Sequence, residues 1–285
     1  MKKNKFHIST CLVYLFLIFW AMTTIYPIIW VVQNSFKAKD KILANSFSLP
    51  LGELFTLSNY KKAFNNLNIF SAYKNSLFIS LSVCALVVLI AGLAAFGMAR
   101  YRFRLRKVLY SLIIAGMMFP IYATIIPVQQ MESSWKIANT SNWFLTMLSV
   151  ILPQVAGNLC FAIVVLTGFI KGLPIELEEA AYLEGCNTRQ IYTKVVMPLA
   201  KPSFATVAIF SFLWSYNDLY TQMFFLRRPE MRAITRLLNE LTSQEGTNYG
   251  LMAAAVTLIV VPLLIVYIFL QKYIIKGMTA GAIKS

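Results

Sequence analysis

Residues 178–202, EEAAYLEGCNTRQIYTKVVMPLAKP, form a polar stretch between long apolar runs of the chain. The beginning of this stretch favours a short helix, because alanine and glutamate are strong helix formers. Gly185 is expected to end that helix, and Asn187 to cap a second one. Pro198 and Pro202 are expected to end the second helix, because proline lacks the amide hydrogen that a helix needs. The sequence therefore predicts a helix-turn-helix loop outside the membrane, joined closely to the apolar runs on either side.

The composition is that of an integral membrane protein. Hydrophobic residues make up 58% of the chain and charged residues 13%, whereas a soluble domain carries about 25% charged residues. The mean hydropathy is +0.65, and several apolar runs are long enough to cross the hydrocarbon core of a bilayer. We therefore predict an all-α polytopic membrane protein with six transmembrane helices. The predicted spans are residues 9–32, 73–99, 109–129, 143–170, 203–225 and 250–270.

The basic residues indicate which side of the membrane each loop occupies. A tight cluster of cations follows the second apolar run, and the positive-inside rule places that loop in the cytoplasm. We interpret the cluster as a topology determinant, with a docking patch as the alternative. Both termini are then cytoplasmic, together with the coupling loop at 175–202 and the C-terminal tail at 271–285. The cations of the cluster are Arg100, Arg102, Arg104, Arg106 and Lys107.

Several classes of function are disfavoured by the sequence. The net charge of +15 is explained by membrane topology, because the basic residues lie beside apolar runs, so no nucleic-acid partner is predicted. The cysteines form no CxxC pair, and the single histidine, His7, lies in the basic N-terminal tail, so no metal site is predicted. The phosphate-binding loop G-x-x-x-x-G-K-S/T does not occur. Glu178 and Glu179 point about 100° apart on a helix, which does not suit acid–base catalysis, and we predict no enzyme activity.

Prolines and polar residues inside the apolar runs predict a translocation path. Prolines free backbone groups that neighbouring helices or water must satisfy, and Pro120 and Pro127 interrupt the third predicted span. Asp218 lies in the fifth predicted span, where a carboxylate is costly unless it has a partner or faces water. A simple membrane scaffold would need neither feature. The residues predicted to line the path are Tyr216, Asn217, Asp218, Gln154 and Asn158.

At this point the motifs resemble those of a known family. Glu179-Ala180-Ala181, followed by Gly185 and then by Pro198 and Pro202, resembles the EAA loop of ABC importer permeases. The amphipathic loop also carries apolar residues that no soluble domain of its own would cover, which indicates a docking partner. Other stretches are similar to the carbohydrate (maltose-type) branch, in particular to its smaller six-span permease. They are Asn75–Leu77, Ala94–Arg100, Trp214–Asp218, Gln271–Tyr273 and Lys276–Lys284.

The resemblance implies the remaining parts of an importer in a bacterial plasma membrane. The chain would pair with a second permease to form a heterodimer, and two ATPase subunits would each receive one EAA helix in a groove. A lipid-anchored or periplasmic binding protein would deliver the sugar. This chain would bind no cofactor, because ATP and magnesium belong to the partner ATPase. The implied coupling residues are Glu178, Glu179, Ala180, Ala181, Tyr182, Glu184, Gly185, Pro198 and Pro202, with Gly277, Thr279, Gly281 and Lys284 in the tail toward the ATPase.

Two departures from the family pattern affect these expectations. The family has Asp-Gly-Ala in the loop where this chain has Glu184-Gly185-Cys186, which keeps the charge and the glycine. The family's Trp-Asn pair in the fifth span appears here as Tyr216-Asn217. If that aromatic residue lines the sugar path, the substrate preference would shift. The alternative to a sugar importer is the permease of an importer for a polyamine or an anion, which shares the EAA loop but not the sugar-type tail.

Overall fold

The computed structural model describes residues 8–66, 68–237, 239 and 248–282. Within these ranges helices are the only regular secondary structure, and no β-strand occurs. The helices are α1 (Ile8–Ser35), α2 (Lys39–Ala44), α3 (Ser58–Asn66), α4 (Ile69–Arg100), α5 (Arg106–Met117), α6 (Ile121–Ser134), α7 (Trp143–Lys171), α8 (Glu176–Leu183), α9 (Thr188–Leu199), α10 (Lys201–Asn217), α11 (Leu219–Phe225) and α12 (Tyr249–Ala282). Short 3-10 turns lie at Gly52–Leu54 and Pro229–Met231.

Several of these helices are suited to cross a membrane. Four are long and apolar enough on their own: Thr10–Ser35, Ile69–Arg100, Trp143–Lys171 and Tyr249–Phe269. Two further pairs meet the same requirement together but are bent, α5 with α6 by 99° and α9 with α10 by 79°. The described residues therefore contain up to six spans, if each bent pair counts as one. The all-α, membrane-spanning class predicted from the composition is confirmed.

Two of the predicted spans are interrupted. Pro120 stands between α5 and α6, in the middle of the predicted span at 109–129. Asp218 stands between α10 and α11, within the predicted span at 203–225. Pro127 lies inside α6 without ending it. The first proline therefore marks a break in the helix, and the second one is tolerated.

The C-terminal tail differs from the expectation of a separate segment. Helix α12 continues to Ala282, so residues 271–282 extend the last apolar helix. Gly277, Thr279 and Gly281 lie in this extension, whereas Lys284 lies outside the described residues.

The chain divides into two compact units. The first comprises residues 1–69 and 238–262, and the second comprises residues 70–237 and 263–285. Among the described residues, the first unit holds α1 to α3 and the beginning of α12, and the second holds α4 to α11 and the end of α12.

In the first unit a buried lysine fixes the connection after α1. The Lys37 side chain is fully buried and donates to the backbone carbonyls of Asn45 and Ser46, each at 3.3 Å, and to Ser48 Oγ at 3.2 Å. Asn59 of α3 donates through Nδ2 to the Lys37 carbonyl at 2.7 Å. Burial lowers the pKa of Lys37 below the usual value for an ammonium group. These bonds hold α2 and α3 against the end of α1.

In the second unit one face of α4 forms the centre of the apolar core. Its buried residues recur every four positions, which places them on one stripe of the helix. Ala91 and Ala95 lie on this stripe, and small side chains allow neighbouring helices to approach closely. Cys84 of α4 donates through Sγ to the Ala208 carbonyl of α10 at 3.3 Å, so α10 is one of these neighbours. The fully buried stripe is Ile79, Val83, Val87, Ala91 and Ala95.

Candidate functional site

The stretch that opened the sequence analysis forms two short helices joined by a tight turn. Helix α8 has three glutamates in its first turn, where negative charge complements the positive end of the helix dipole. The amide of Gly185 donates to the Tyr182 carbonyl and that of Cys186 to the Ala181 carbonyl, each at 3.0 Å. Gly185 has φ +86°, a left-handed conformation that glycine adopts without strain. This arrangement is a Schellman motif, and Gly185 lies just beyond the helix end.

A capping box begins the second helix, α9. The Asn187 side chain accepts from the Gln190 amide at 3.0 Å, and the Gln190 side chain accepts from the Asn187 amide at 2.9 Å. The expected role of Pro202 was wrong. Helix α9 ends at Leu199, and Pro202 lies in the first turn of α10, where a missing amide hydrogen costs nothing.

The side of α9 that carries Tyr192 and Val196 packs against α4. The Tyr192 ring is 7% exposed, and its centroid lies 5.2 Å from that of Phe96. A Cβ added at Gly92 would come within 2.5 Å of the Tyr192 hydroxyl and 2.7 Å of the Phe204 ring. Gly92 therefore makes room for an aromatic side chain from the loop, and Val196 in the next turn is fully buried.

A nearly buried ion pair joins α8 to the end of α4. Arg100 Nε donates to Glu178 Oε1 at 2.7 Å, and each side chain is 10% exposed. Arg100 Nη2 also donates to the Leu173 carbonyl at 3.1 Å. The sequence placed Arg100 in the topology cluster and, by resemblance, Glu178 among the coupling residues, and in the structure the two side chains face each other. They lie 78 positions apart, and no local pattern marks them as partners.

The rest of the tip of α8 is exposed and mixes acid with apolar surface. Glu179, Ala180 and Glu184 are exposed, and the large side chains of Tyr182 and Leu183 are 71% and 86% exposed. Exposed apolar side chains of this size at a loop tip are typical of an interaction surface. We call Glu179 to Glu184 the coupling face.

A second polar cluster surrounds the break at Asp218. Asp218 Oδ1 accepts from the Thr221 amide at 3.0 Å and thereby caps α11. Asp218 Oδ2 accepts from Gln154 Nε2 of α7 at 2.8 Å. Gln154 Oε1 in turn accepts from Ser215 Oγ at 2.5 Å, and Gln222 Nε2 donates to the Ser215 carbonyl at 3.2 Å. The carboxylate is thus held by neutral donors.

The residues predicted to line the path fall into two groups. Tyr216 is 4% exposed and stacks on Phe212, with centroids 5.8 Å apart, and Gln154 and Asn158 are also buried. Asn217 is exposed and Asp218 is half-buried. In this conformation the aromatic residue that stands in place of the family's tryptophan is therefore part of the packing.

Comparison with known proteins agrees with this architecture. Residues 87–280 match the family described as binding-protein-dependent transport system inner membrane component. A protein of Caldicellulosiruptor sp. (strain Rt8B.4), named as an ABC transporter permease, is 34% identical over 95% of this chain and 96% of its own length. The diacetylchitobiose uptake system permease protein NgcG of Streptomyces coelicolor is 30% identical over 94% of this chain and 87% of its own.

A solved structure shares the fold over nearly the whole length. It belongs to a bacterial ABC transporter involved in the import of the acidic polysaccharide alginate, and it superposes with a TM-score of 0.78. The match covers 96% of this chain and 99% of that one, at 22% identity. The matched family region contains α8, α9 and the break at Asp218. This multi-pass membrane protein therefore belongs to the family of inner membrane components of binding-protein-dependent transport systems.

Proposed function

We propose that this chain is one permease of an ATP-driven sugar importer and forms half of its translocation pathway. The observation that carries the proposal is the similarity to the diacetylchitobiose permease, at 30% identity over 94% of the chain. The sugar-type motifs at Ala94–Arg100 and Trp214–Asp218 support the same cargo class. The chain performs no chemistry itself, since ATP and magnesium are held by two partner ATPase subunits.

The coupling face is the surface that docks into an ATPase groove. One of its exposed glutamates, Glu179, meets a basic residue there, while Tyr182 and Leu183 bury their apolar surface. Their exposures of 71% and 86% support a role in docking, because a loop tip in water gains nothing from such side chains. Pro198 lies at the far end of α9 and is exposed as well.

The Arg100–Glu178 pair transmits the movement of the docked loop to the spans. The pair is 2.7 Å long and nearly buried, so a shift of α8 pulls on α4. ATP binding then carries the loop with the ATPase, and α4 follows as the importer passes between inward-facing and outward-facing states. Such coupling requires contacts that differ in strength between the two states.

The same contacts support a cytoplasmic position for the arginine-rich loop and for the α8–α9 loop. The arginine-rich segment that begins at Arg100 predicts a cytoplasmic side. This segment touches the α8–α9 loop through Glu178, and through Tyr101 Oη, which lies 3.4 Å from Thr188 Oγ1. A loop on the cytoplasmic side is within reach of a cytoplasmic ATPase.

Helix α1 supports the presence of a second permease. Its most apolar window contains no residue that is buried inside this chain. The side chains from Leu12 to Trp20 are mostly more than half exposed. We infer that α1 lies against the partner permease on one side and against lipid on the other. A sugar-binding protein outside the membrane completes the assembly.

Reconstitution of the assembled complex tests the proposal. The chain is purified with its copurifying subunits and placed in lipid discs, and ATPase activity is measured with binding protein loaded with diacetylchitobiose, maltotriose, spermidine or phosphate. We expect one of the two saccharides to stimulate the ATPase activity and spermidine and phosphate to leave it unchanged. Stimulation by spermidine or phosphate alone would assign the chain to the polyamine or anion class.

A further inference from the structure

The helix breaks at Pro120 and Asp218 have the same backbone geometry. Pro120 precedes α6 with φ −73° and ψ 96°, and Asp218 precedes α11 with φ −72° and ψ 98°. In each case a tyrosine follows two residues later, Tyr122 in α6 and Tyr220 in α11. The two tyrosine rings touch, with centroids 5.1 Å apart and planes at 64°.

Both breaks meet α7 near the middle of that helix. Asp218 bonds to Gln154, and a Cβ added at Gly157 would lie 2.9 Å from Ile121 Cδ1. Gly157 is the central residue of α7, which has 29 residues, so it lies about 20 Å from each helix end. Gln154 is one turn away. The two breaks and their tyrosines therefore lie near the mid-depth of the membrane.

An interrupted helix at this depth restricts what can surround its free backbone groups. Backbone groups that leave a helix inside the hydrocarbon region are tolerated only where protein covers them or where they line a water-filled cavity. The exposed amide of Asn217 lies at the same level. Tyrosines that face lipid are enriched at the membrane interfaces rather than at the centre. Tyr122 and Tyr220 are 68% and 55% exposed, and these observations favour a polar path over lipid as the space that they face.

We propose that Tyr122 and Tyr220 form an aromatic platform at mid-membrane on which a pyranose ring of the transported sugar stacks. This inference rests on the proposed sugar importer. The edge-to-face contact leaves ring faces free, and such a pair is already oriented before the ligand arrives. Aromatic faces pack against the C–H faces of a sugar, while the Asn217 amide and the tyrosine hydroxyls offer hydrogen bonds to its hydroxyl groups.

The test measures sugar retention and transport in the assembled importer with Tyr122→Leu and Tyr220→Leu. The probe is whichever of radiolabelled diacetylchitobiose or maltotriose the wild-type complex transports. We expect each substitution to reduce the sugar moved per ATP hydrolysed by about fivefold to tenfold, and the sugar retained in the vanadate-trapped complex by a similar factor. ATPase stimulation by the loaded binding protein should change less than about twofold, because the coupling face is untouched.

Matched variants separate stacking from a structural effect. Tyr122→Phe and Tyr220→Phe keep the ring and should retain most of the transported sugar per ATP. Tyr249→Leu removes an exposed tyrosine at the beginning of α12, 48% exposed, and should have no effect. Unchanged retention in both leucine variants, or an equal loss in the phenylalanine variants, would overturn the platform. If the wild-type complex transports spermidine or phosphate and no saccharide, the sugar importer itself is contradicted, and the platform with it.

Discussion

The loop that precedes α10 in the chain and the break that follows it hold acidic groups in different ways. The α8–α9 loop precedes Lys201, the first residue of α10. In that loop the charge of Glu178 is neutralised by the opposite charge of Arg100. After Asn217, the last residue of α10, the carboxylate of Asp218 is satisfied by an amide side chain and a backbone amide. The ion pair joins α8 to α4. The neutral network caps α11 and bonds the interrupted helix to α7. In the proposed function, the first region transmits movement and the second provides a polar surface.

The largest effect is expected from removal of the ion pair. Arg100→Ala leaves Glu178 charged, nearly buried and without its partner, which costs about 3 kcal/mol of stability. We expect a lower melting temperature of the purified complex and a loss of uptake of more than about tenfold.

Two controls decide whether that effect belongs to the pair. Arg104→Ala removes an exposed cation of the same cluster and should leave melting and uptake unchanged. The exchange of Arg100→Glu with Glu178→Arg should recover part of the loss. If Arg100→Ala behaves like Arg104→Ala, the cluster acts only on topology, and the contrast between the two ends of α10 disappears.

A smaller effect is expected at the other end of α10. Asp218→Ala removes the cap of α11 and leaves Gln154 without its acceptor, which together cost about 2 kcal/mol. Asp218→Asn keeps an oxygen that can cap α11 and should cost less than half as much. The measurement is thermal melting of the purified complex, with Asn217→Ala as the exposed neighbour. Equal melting of the alanine variants at 217 and 218 would show that the network contributes no stability.

The smallest effect is expected at the turn between α8 and α9. A Cβ at Gly185 meets no atom within 4 Å, so Gly185→Ala is penalised only by the left-handed backbone at φ +86°. That penalty is about 1 to 2 kcal/mol. Gly97→Ala is the matched control, since Gly97 is equally open but lies inside α4, where alanine is favoured by about 1 kcal/mol. We expect Gly185→Ala to lower the melting temperature and Gly97→Ala to raise it. Shifts of the same sign would contradict the left-handed turn at Gly185.

Local rules predicted the shape of the coupling loop from the sequence. Gly185 and Asn187 act through their own backbone neighbours, so a few adjacent residues suffice to place a helix end and a cap. The proline rule was less specific, because proline disfavours the interior of a helix but suits the first turn of the next one. For that reason Pro202 was assigned to the end of α9, although it opens α10.

Pairings between distant residues could not be predicted from the sequence. Arg100 and Glu178 lie 78 positions apart, and Gln154 and Asp218 lie 64 apart. Each of these residues belongs to a polar cluster, and several of its neighbours in the sequence could have formed the same contact. Tyr122 and Tyr220 were missed altogether, because a tyrosine in an apolar run carries no signal until the fold brings two of them together.

The measurement that tests the central claim most directly compares Glu179→Lys with the wild type in the reconstituted complex. Glu179 is exposed on the coupling face, so its replacement should leave the melting temperature of this chain unchanged. The account predicts loss of both sugar uptake and the ATPase stimulation by loaded binding protein, because the charge that meets the ATPase groove is reversed. Uptake and stimulation at the wild-type level would contradict coupling through this face.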